Sequence, residues 1–541
     1  MKDISSTGSF IDFTLENFIY VDKTEYIPKL VKLKRVFISR PRRFGKSLTL
    51  DTIATLFETG VEPYFKGTWI YDKWTEPTYP VLRLNFLNFD KNTLEKFNNK
   101  LNSKITEFAE LNQVTTYKEK EEAEDSIDHL LEQLRLEGRQ IVILIDEYDC
   151  QMTANINNET LYKQFQEKIK SFYANIKDKF AIKFLGITGV TRLKDVSIFS
   201  VGSDINDITN ASAYSQMIGF TRDEIKKYYI DYLKLASSYE NNCSVGDVTD
   251  TQLESMLDMM AQNYDGYCFD EDYEKKVFST WSVNKFFQTM IEKKKVQFGE
   301  YWYDNGGLPS ILVNYLKTHE LNIFEYLDKD KFLKVSSDDF KNPTALTTIN
   351  QNVLMCQTGY LTLRSDLNKT STVALGIPNG EIYKALNRLL ANNIFKGNTD
   401  ITDDYGRSLL EVGTVDDIIN LFNSALNSVS YDNYPIVSES SVQNMLKLYL
   451  LGAHQEVLSE VHEAKGRADL VVNTDNRRIV FEFKYAKNEA EAKSKLSEAV
   501  EQIKTRDYGN ILPKKNELIR IAAVFNADPK VRAFTENQIV P

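Results

Sequence analysis

Val36-Phe-Ile-Ser-Arg-Pro-Arg-Arg-Phe-Gly-Lys-Ser-Leu-Thr-Leu50 is a short apolar run, a glycine turn, and then Lys46-Ser47 opening a helix-like segment. A strand that stops, a loop that turns its N–H groups inward and a helix N-terminus together make a seat for phosphate. Lys46 reaches the β- and γ-phosphates of a nucleoside triphosphate as a point charge, and the Ser47 hydroxyl ligates Mg²⁺. Arg42, Arg43, Phe44, Gly45 and Leu48 complete the expected cradle for ATP. The usual motif opens on glycine where this chain has Arg40, so the loop is stiffer and more basic than usual. Taken alone, Gly45-Lys46-Ser47 also fits an ordinary strand-to-helix turn with a solvated lysine.

A second stretch strengthens the reading. Ile141-Val-Ile-Leu-Ile-Asp-Glu-Tyr148 is an unbroken aliphatic run ending in two carboxylates, the pattern of a central strand buried on both faces. Acidic residues at such a strand's carboxyl end are costly unless they face the ligand crevice of an open α/β sheet. Asp146 is expected to hold Mg²⁺ and Glu147 to polarise the attacking water. Val81–Phe86 and Ile182–Thr188 read as further strands of the same sheet, separated by amphipathic helices. Thr188 is placed to sense the γ-phosphate and Arg192 to offset developing charge. Each reads equally well as a loop residue satisfied by backbone or solvent. Phe18–Thr24 lies close enough ahead of the loop to pack on the base.

Tyr20-Val-Asp-Lys-Thr24, Arg40–Ser47, Ile145-Asp-Glu-Tyr148, Gly189-Val-Thr-Arg192 and Ser197-Ile-Phe-Ser200 resemble the bacterial AAA-ATPase-like family. So do Gly219-Phe-Thr221, Tyr264-Asp-Gly-Tyr267 and Tyr301-Trp302. The resemblance implies an ATPase joined to a C-terminal domain of the PD-(D/E)XK nuclease superfamily, and it makes Arg40 a familial variation.

The C-terminal chemistry can be read independently. Gly466–Val472 and Arg478–Lys484 are strand candidates joined by the turn Asn473–Asn476, with twelve residues between Asp469 and Glu482. Glu482 and Lys484, two apart, share one strand face while Phe481 and Phe483 take the other. Asp469 and Glu482 are expected to hold Mg²⁺ through hard oxygen ligands, and Lys484 to orient the attacking water or offset charge. The superfamily resemblance implies a third acid, supplied by Glu439 or Glu460. Gln502 either faces the site or is an exposed helix residue. The plainer alternative for the pair of strands is an amphipathic hairpin with surface salt bridges.

A chain of 541 residues is too long for one core, and 42% hydrophobic with 26% charged residues is ordinary globular composition. The net charge of -11 argues against broad nucleic-acid binding by the whole surface. Residues 431–541, however, hold 16 basic and 16 acidic residues, so that segment is neutral. Lys465, Arg467, Arg477, Arg478 and Lys487 are available there to track the phosphates of DNA or RNA. Four scattered cysteines and four unclustered histidines exclude a paired zinc pattern. A polar N-terminus and no membrane-length apolar run point to the cytoplasm and to no membrane partner; a homo-oligomer is compatible with the sequence.

The expected architecture is α/β: a P-loop NTPase sheet over 1–220, a helical lid over 221–295, a helical connecting region over 296–430, and a C-terminal α/β restriction-endonuclease-like domain over 431–541. The charge run Lys118–Asp128 reads as a solvated helix face. Two functions follow. In one, ATP binding and hydrolysis regulate or power a metal-dependent phosphodiester-cleaving nuclease. In the other, the chain is a nucleotide-dependent switch or scaffold whose nuclease-like fold only binds nucleic acid or a partner.

Overall fold

The computed structural model describes all residues except 178, 194–204, 303–309, 317–322, 344, 396–405, 454, 464–465, 511–514 and 516. The motif Ser197–Ser200 and Lys465 therefore lie outside the described residues. The chain divides into two compact units, 1–319 with 332–382, and 320–331 with 383–541. The division falls within the helix Gly380–Ile394.

The first unit is built on five strands: β1 (Arg35–Ser39), β2 (Val81–Asn85), β3 (Ile141–Asp146), β4 (Ile182–Gly189) and the short β5 (Asn206–Asp207). Their order is β2-β3-β4-β1-β5 and every pairing is parallel. All six residues of β3 are buried, as its unbroken aliphatic run demands. β4 lies between the phosphate-loop strand and the carboxylate strand, pairing Thr188 with Ile38 on one side and Ile187 with Ile145 on the other. That register brings the carboxyl ends of three strands together. Gly189, next to Thr188, is forced: a Cβ there would sit 2.4 Å from the Tyr148 ring.

Four helices follow, Arg222–Tyr228, Ile230–Asn241, Asp250–Tyr264 and Thr280–Lys293. Capping boxes at Thr221 and Thr249 fix where two of them start. Their apolar faces share one core with Ile19 and Val21 from the segment ahead of β1. The helices expected over 296–430 are joined by a three-stranded sheet, β6 (Leu333–Ser336), β7 (Thr362–Leu363) and β8 (Thr372–Gly376), ordered β6-β8-β7. Strands this short offer too few alternations to be told from helical spacing. The run Lys118–Asp128 is helical only from Ala123 onward. Ahead of it, the carbonyls of Lys120 and Glu121 are held by the Asn98 and Asn102 amides, so that backbone is tied down as a loop.

The second unit carries β9 (Glu456–Glu463), β10 (Gly466–Asn473), β11 (Arg477–Ala486), β12 (Glu517–Asn526) and β13 (Ala533–Ile539), ordered β13-β12-β11-β10-β9. The β9–β10–β11 strands run antiparallel, and β12 lies parallel to β11. A parallel neighbour requires a crossover, which the helix Glu489–Arg506 supplies. Phe481 and Phe483 stack on each other and pack with Phe422 and Phe534, leaving Glu482 and Lys484 to the opposite face. No helix among the described residues is long and apolar enough to cross a membrane.

Candidate functional sites

A cleft of about 500 Å³ opens at the carboxyl ends of β1 and β3. Arg42, Arg43, Phe44, Gly45, Lys46, Ser47, Leu48 and Glu147 all line it. Gly45 stands at φ 100, a left-handed turn that glycine adopts without strain, and the helix Lys46–Thr59 starts at the next residue. Lys46 is buried; its Nζ donates to the Arg40 and Pro41 carbonyls, both at 3.1 Å, and lies 3.6 Å from Glu147. Ser47 Oγ donates to Asp146 Oδ2 at 2.6 Å, and Thr188 Oγ1 donates to Asp146 Oδ1 at 2.5 Å. Loop, carboxylate strand and β4 thus meet on one carboxylate. Burial holds the Glu147 carboxyl above its usual range, with the Lys46 ammonium pulling part of that back.

The far wall of the cleft is apolar and aromatic, with Phe13, Ile19, Tyr20, Val21 and Tyr26 from the stretch ahead of β1. Ser5–Gly8, Tyr229, Thr280, Trp281 and Asn284 also line it. Phe18–Thr24 is the stretch expected to pack on the base, whereas sequence spacing carries no signal for Tyr229, Thr280, Trp281 and Asn284, whose distance along the chain leaves no local period.

Arg192 is not among the residues lining this cleft. Its guanidinium is taken by Asp207 and, at 2.7 Å, by the Lys341 carbonyl. It lines a separate recess with Arg40 and Gln357. The expectation that Arg192 offsets charge developing at the γ-phosphate thus meets a competitor, because β5 brings a carboxylate that already pairs with it.

In the second unit the register Leu470↔Phe481, extended by one pair, sets Asp469 opposite Glu482. Asp469 Oδ2 accepts from the Phe483 N–H at 2.8 Å. Lys484 Nζ lies 2.8 Å from Glu482 and 3.2 Å from Glu439, which opens the helix Glu439–Gly452. Glu439 is thus brought to the site; the side chain of Glu460 lies outside the described residues. Glu482 is fully buried and its Oε2 has no hydrogen-bond partner among the described residues. Burial, then the Asp469 charge, pushes its carboxyl up to about 7, against the pull of Lys484. Burial alone lowers the Lys484 ammonium, but Glu482 and Glu439 more than offset it and the group ends raised. Among the described residues no group of three His, Cys, Asp or Glu side chains is arranged to hold a metal ion.

Gln502 is half-buried with its amide 3.4 Å from the Tyr508 hydroxyl. The same hydroxyl accepts from Arg506 at 2.9 Å. Arg506 lies across Gly466, where a Cβ would meet its Cδ at 2.5 Å. It is close enough to feel both Glu482 and Asp469. Sequence reading passed over Arg506, since one arginine at a helix end is unremarkable. Of the basic residues expected to track phosphates, Arg477 is paired with Glu517, and Arg478 is buried and donates to Asn473 and Gly509. Both are spent inside the fold.

The two sites define a class. Residues 5–199 match the family described as "Predicted AAA-ATPase", and residues 437–535 match the PD-(D/E)XK nuclease superfamily. The chain carries an AAA-ATPase-like segment followed by a nuclease-superfamily segment. A relative from Azotobacter chroococcum mcd 1, named "Uncharacterized protein in vnfD 5'region", is 26% identical over 95% of this chain and 94% of its own length. Among solved structures, Cdc6p from Pyrobaculum aerophilum is 11% identical over 68% of this chain and 93% of its own, with a TM-score of 0.26. The Aeropyrum pernix ORC1 protein, solved in complex with DNA, is 9% identical over 69% and 95%, with a TM-score of 0.28. Overlap that loose transfers nothing to this chain.

Proposed function

We propose that the first unit binds and hydrolyses ATP, and that this activity regulates or powers a metal-dependent phosphodiester-cleaving nuclease in the second. The ATP reading is carried by one convergence: Ser47 and Thr188 both donate to Asp146, beside the buried Lys46 and Glu147. A hydroxyl against a carboxylate is a hard-oxygen donor set that fits Mg²⁺, which, when bound, neutralises phosphate charge. Ser47 and Asp146 would hold it. Lys46 exchanges its carbonyl partners for phosphate oxygens, and Glu147 orients and polarises the attacking water. The aromatic wall around Tyr20 takes the base.

The nuclease reading is supported by Glu482. A fully buried carboxylate with an unpartnered oxygen is costly, and a cation removes that cost. Asp469 and Glu482 fit a divalent ion through hard oxygens, and when bound it supplies polarisation of the phosphodiester and an acidified water. Glu439 and Glu460 remain the two sources of a third carboxylate. Lys484 holds the attacking water or offsets charge, while Arg506 contacts a neighbouring phosphate of DNA or RNA. The second reading, a nucleotide-dependent switch or scaffold whose nuclease-like fold only binds nucleic acid or a partner, is the alternative, and Asp469, Glu482 and Lys484 standing together favour the first. Cleavage of labelled DNA and RNA by the full chain, with and without ATP and Mg²⁺, separates the two. Metal-dependent cleavage lost in Asp469→Ala supports the nuclease; binding without cleavage under every condition supports the scaffold.

A further inference from the structure

The phosphate loop is gripped from outside by the stretch from Tyr267 to Trp302, and the grip accounts for its unusual composition. Arg40, standing where glycine is usual, is buried with its guanidinium 4.2 Å over the Phe269 ring. Its Nη1 donates to the Ser39 and Thr209 carbonyls at 2.9 and 2.6 Å. The Phe44 ring packs edge-on against Tyr267 and Phe269. These two side chains anchor the loop to that stretch.

Arg43 is different. Its backbone is left-handed at φ 68, uncommon and costly for a residue with a side chain. Its carbonyl accepts from Thr280 Oγ1 at 3.0 Å, and the Arg42 carbonyl accepts from Trp302 Nε1 at 3.4 Å. Because the peptide is planar and trans, the N–H groups of Arg43 and Phe44 point the opposite way. The guanidinium of Arg43 lies 4.2 Å over the indole of Trp281, at the start of the helix Thr280–Lys293. Both residues line the cleft. Arg43 Nη1 is buried without a hydrogen-bond partner among the described residues, so its position is stabilised by any anion that reaches it. Among the described residues, the segment from Arg222 to Lys293 gives the cleft Tyr229, Thr280, Trp281 and Asn284, none of them a cation.

We propose that Arg43 distinguishes a nucleoside triphosphate from a diphosphate, and that Trp281 is its positioning residue, so that the helix Thr280–Lys293 reads the γ-phosphate through a cation–π contact. This rests on the nucleotide site argued above. With a γ-phosphate, the unpartnered Nη1 gains an anionic acceptor and the neighbouring Arg42 and Arg43 cease to repel each other unscreened. With a diphosphate, neither relief is available. The loop thereby supplies the cation that the helices do not.

The test is titration calorimetry of the full chain with ATPγS and with ADP, both with Mg²⁺. The parent is expected to prefer ATPγS. Arg43→Gln removes a charged hydrogen bond made only to the triphosphate, so ATPγS affinity falls roughly 10- to 100-fold while ADP affinity stays. Trp281→Ala loses part of the same preference, and Trp281→Phe, which keeps a ring face, restores it. Equal weakening of both nucleotides in Arg43→Gln overturns the proposal, as does an unchanged preference in Trp281→Ala. If Trp281→Ala does not fold, Trp281→Phe and Arg43→Gln still decide. A parent that binds neither nucleotide overturns the site itself, a result separable from either failure.

Discussion

The two candidate sites handle buried charge in opposite ways. Around the phosphate loop the two groups that would meet phosphate and metal first already have partners within the fold: Lys46 with two carbonyls and Glu147, Asp146 with Ser47 and Thr188. A phosphate at Lys46 or a cation at Asp146 must compete with bonds that exist. At the C-terminal site Glu482 is fully buried, holds an unpartnered oxygen, and has its carboxyl pushed up to about 7. A ligand there completes something. The first arrangement suits a molecule that must come and go; the second suits an ion that stays and lowers the cost of its own seat.

The largest effect expected is at the loop. Lys46→Ala removes a charge-assisted contact to two phosphates, so ATP binding weakens by about 3 kcal/mol or more, roughly 100-fold, measured by calorimetry. Glu147→Gln keeps the nucleotide and stops turnover, which a phosphate-release assay reads. Lys46→Ala with parental affinity would break the comparison at its first half.

Next come the C-terminal substitutions. Asp469→Ala is expected to abolish metal binding and cleavage together, whereas Lys484→Ala abolishes cleavage and spares most metal binding. Mn²⁺ titration and a nuclease assay distinguish them, and ATPase activity survives both. Undiminished cleavage by Asp469→Ala moves the chemistry elsewhere.

A pH prediction sharpens the contrast. The Glu482 carboxyl rises from its ordinary 4.5 to about 7 on folding, so the folded chain favours its protonated form. The stability this contributes is fully present below pH 4.5 and is lost as pH rises through 7. In chelator, the metal-free parent should therefore lose about a few degrees of melting temperature between pH 5 and pH 8 that Glu482→Gln does not lose. Equal pH slopes in the two proteins would remove the cost assigned to that carboxylate.

The smallest effect expected is at Arg506. Arg506→Gln should weaken DNA or RNA binding a fewfold and lower the salt dependence by about one ion, with metal affinity unchanged. Fluorescence anisotropy in Ca²⁺ over a range of salt measures it. An unchanged salt slope removes Arg506 from the phosphate path.

Much of both sites was legible because their residues sit on short local patterns. The aliphatic run of β3 announces a buried strand whatever surrounds it, and Glu482 with Lys484 share a face by the two-residue repeat alone. What stayed hidden depends on tertiary partners. Nothing in Gly189-Val-Thr-Arg192 says that β5 will bring Asp207 to Arg192. Arg477 and Arg478 look free until Glu517 and Gly509 arrive from the parallel strand β12 and the turn before it. Trp281 reads as an ordinary helix aromatic until the loop folds under it. The sheet β6-β8-β7 was missed for another reason, since two to five residues per strand cannot declare a period.

One further feature bears on how this chain can vary. Asp149, just past Glu147, accepts from the N–H and the hydroxyl of Thr191, both at 2.6 Å, and Tyr148 donates to the Thr191 carbonyl at 3.0 Å. The ends of β3 and β4 are stitched into one piece, with Gly189 leaving room only for the Tyr148 ring. A change at Asp149 strands two buried donors, and a change at Thr191 takes the hydroxyl donor from the buried Asp149 carboxylate and leaves it to main-chain N–H groups alone. Neither position can drift alone, so across descendants of this sequence the two should be inherited as a pair and replaced as a pair.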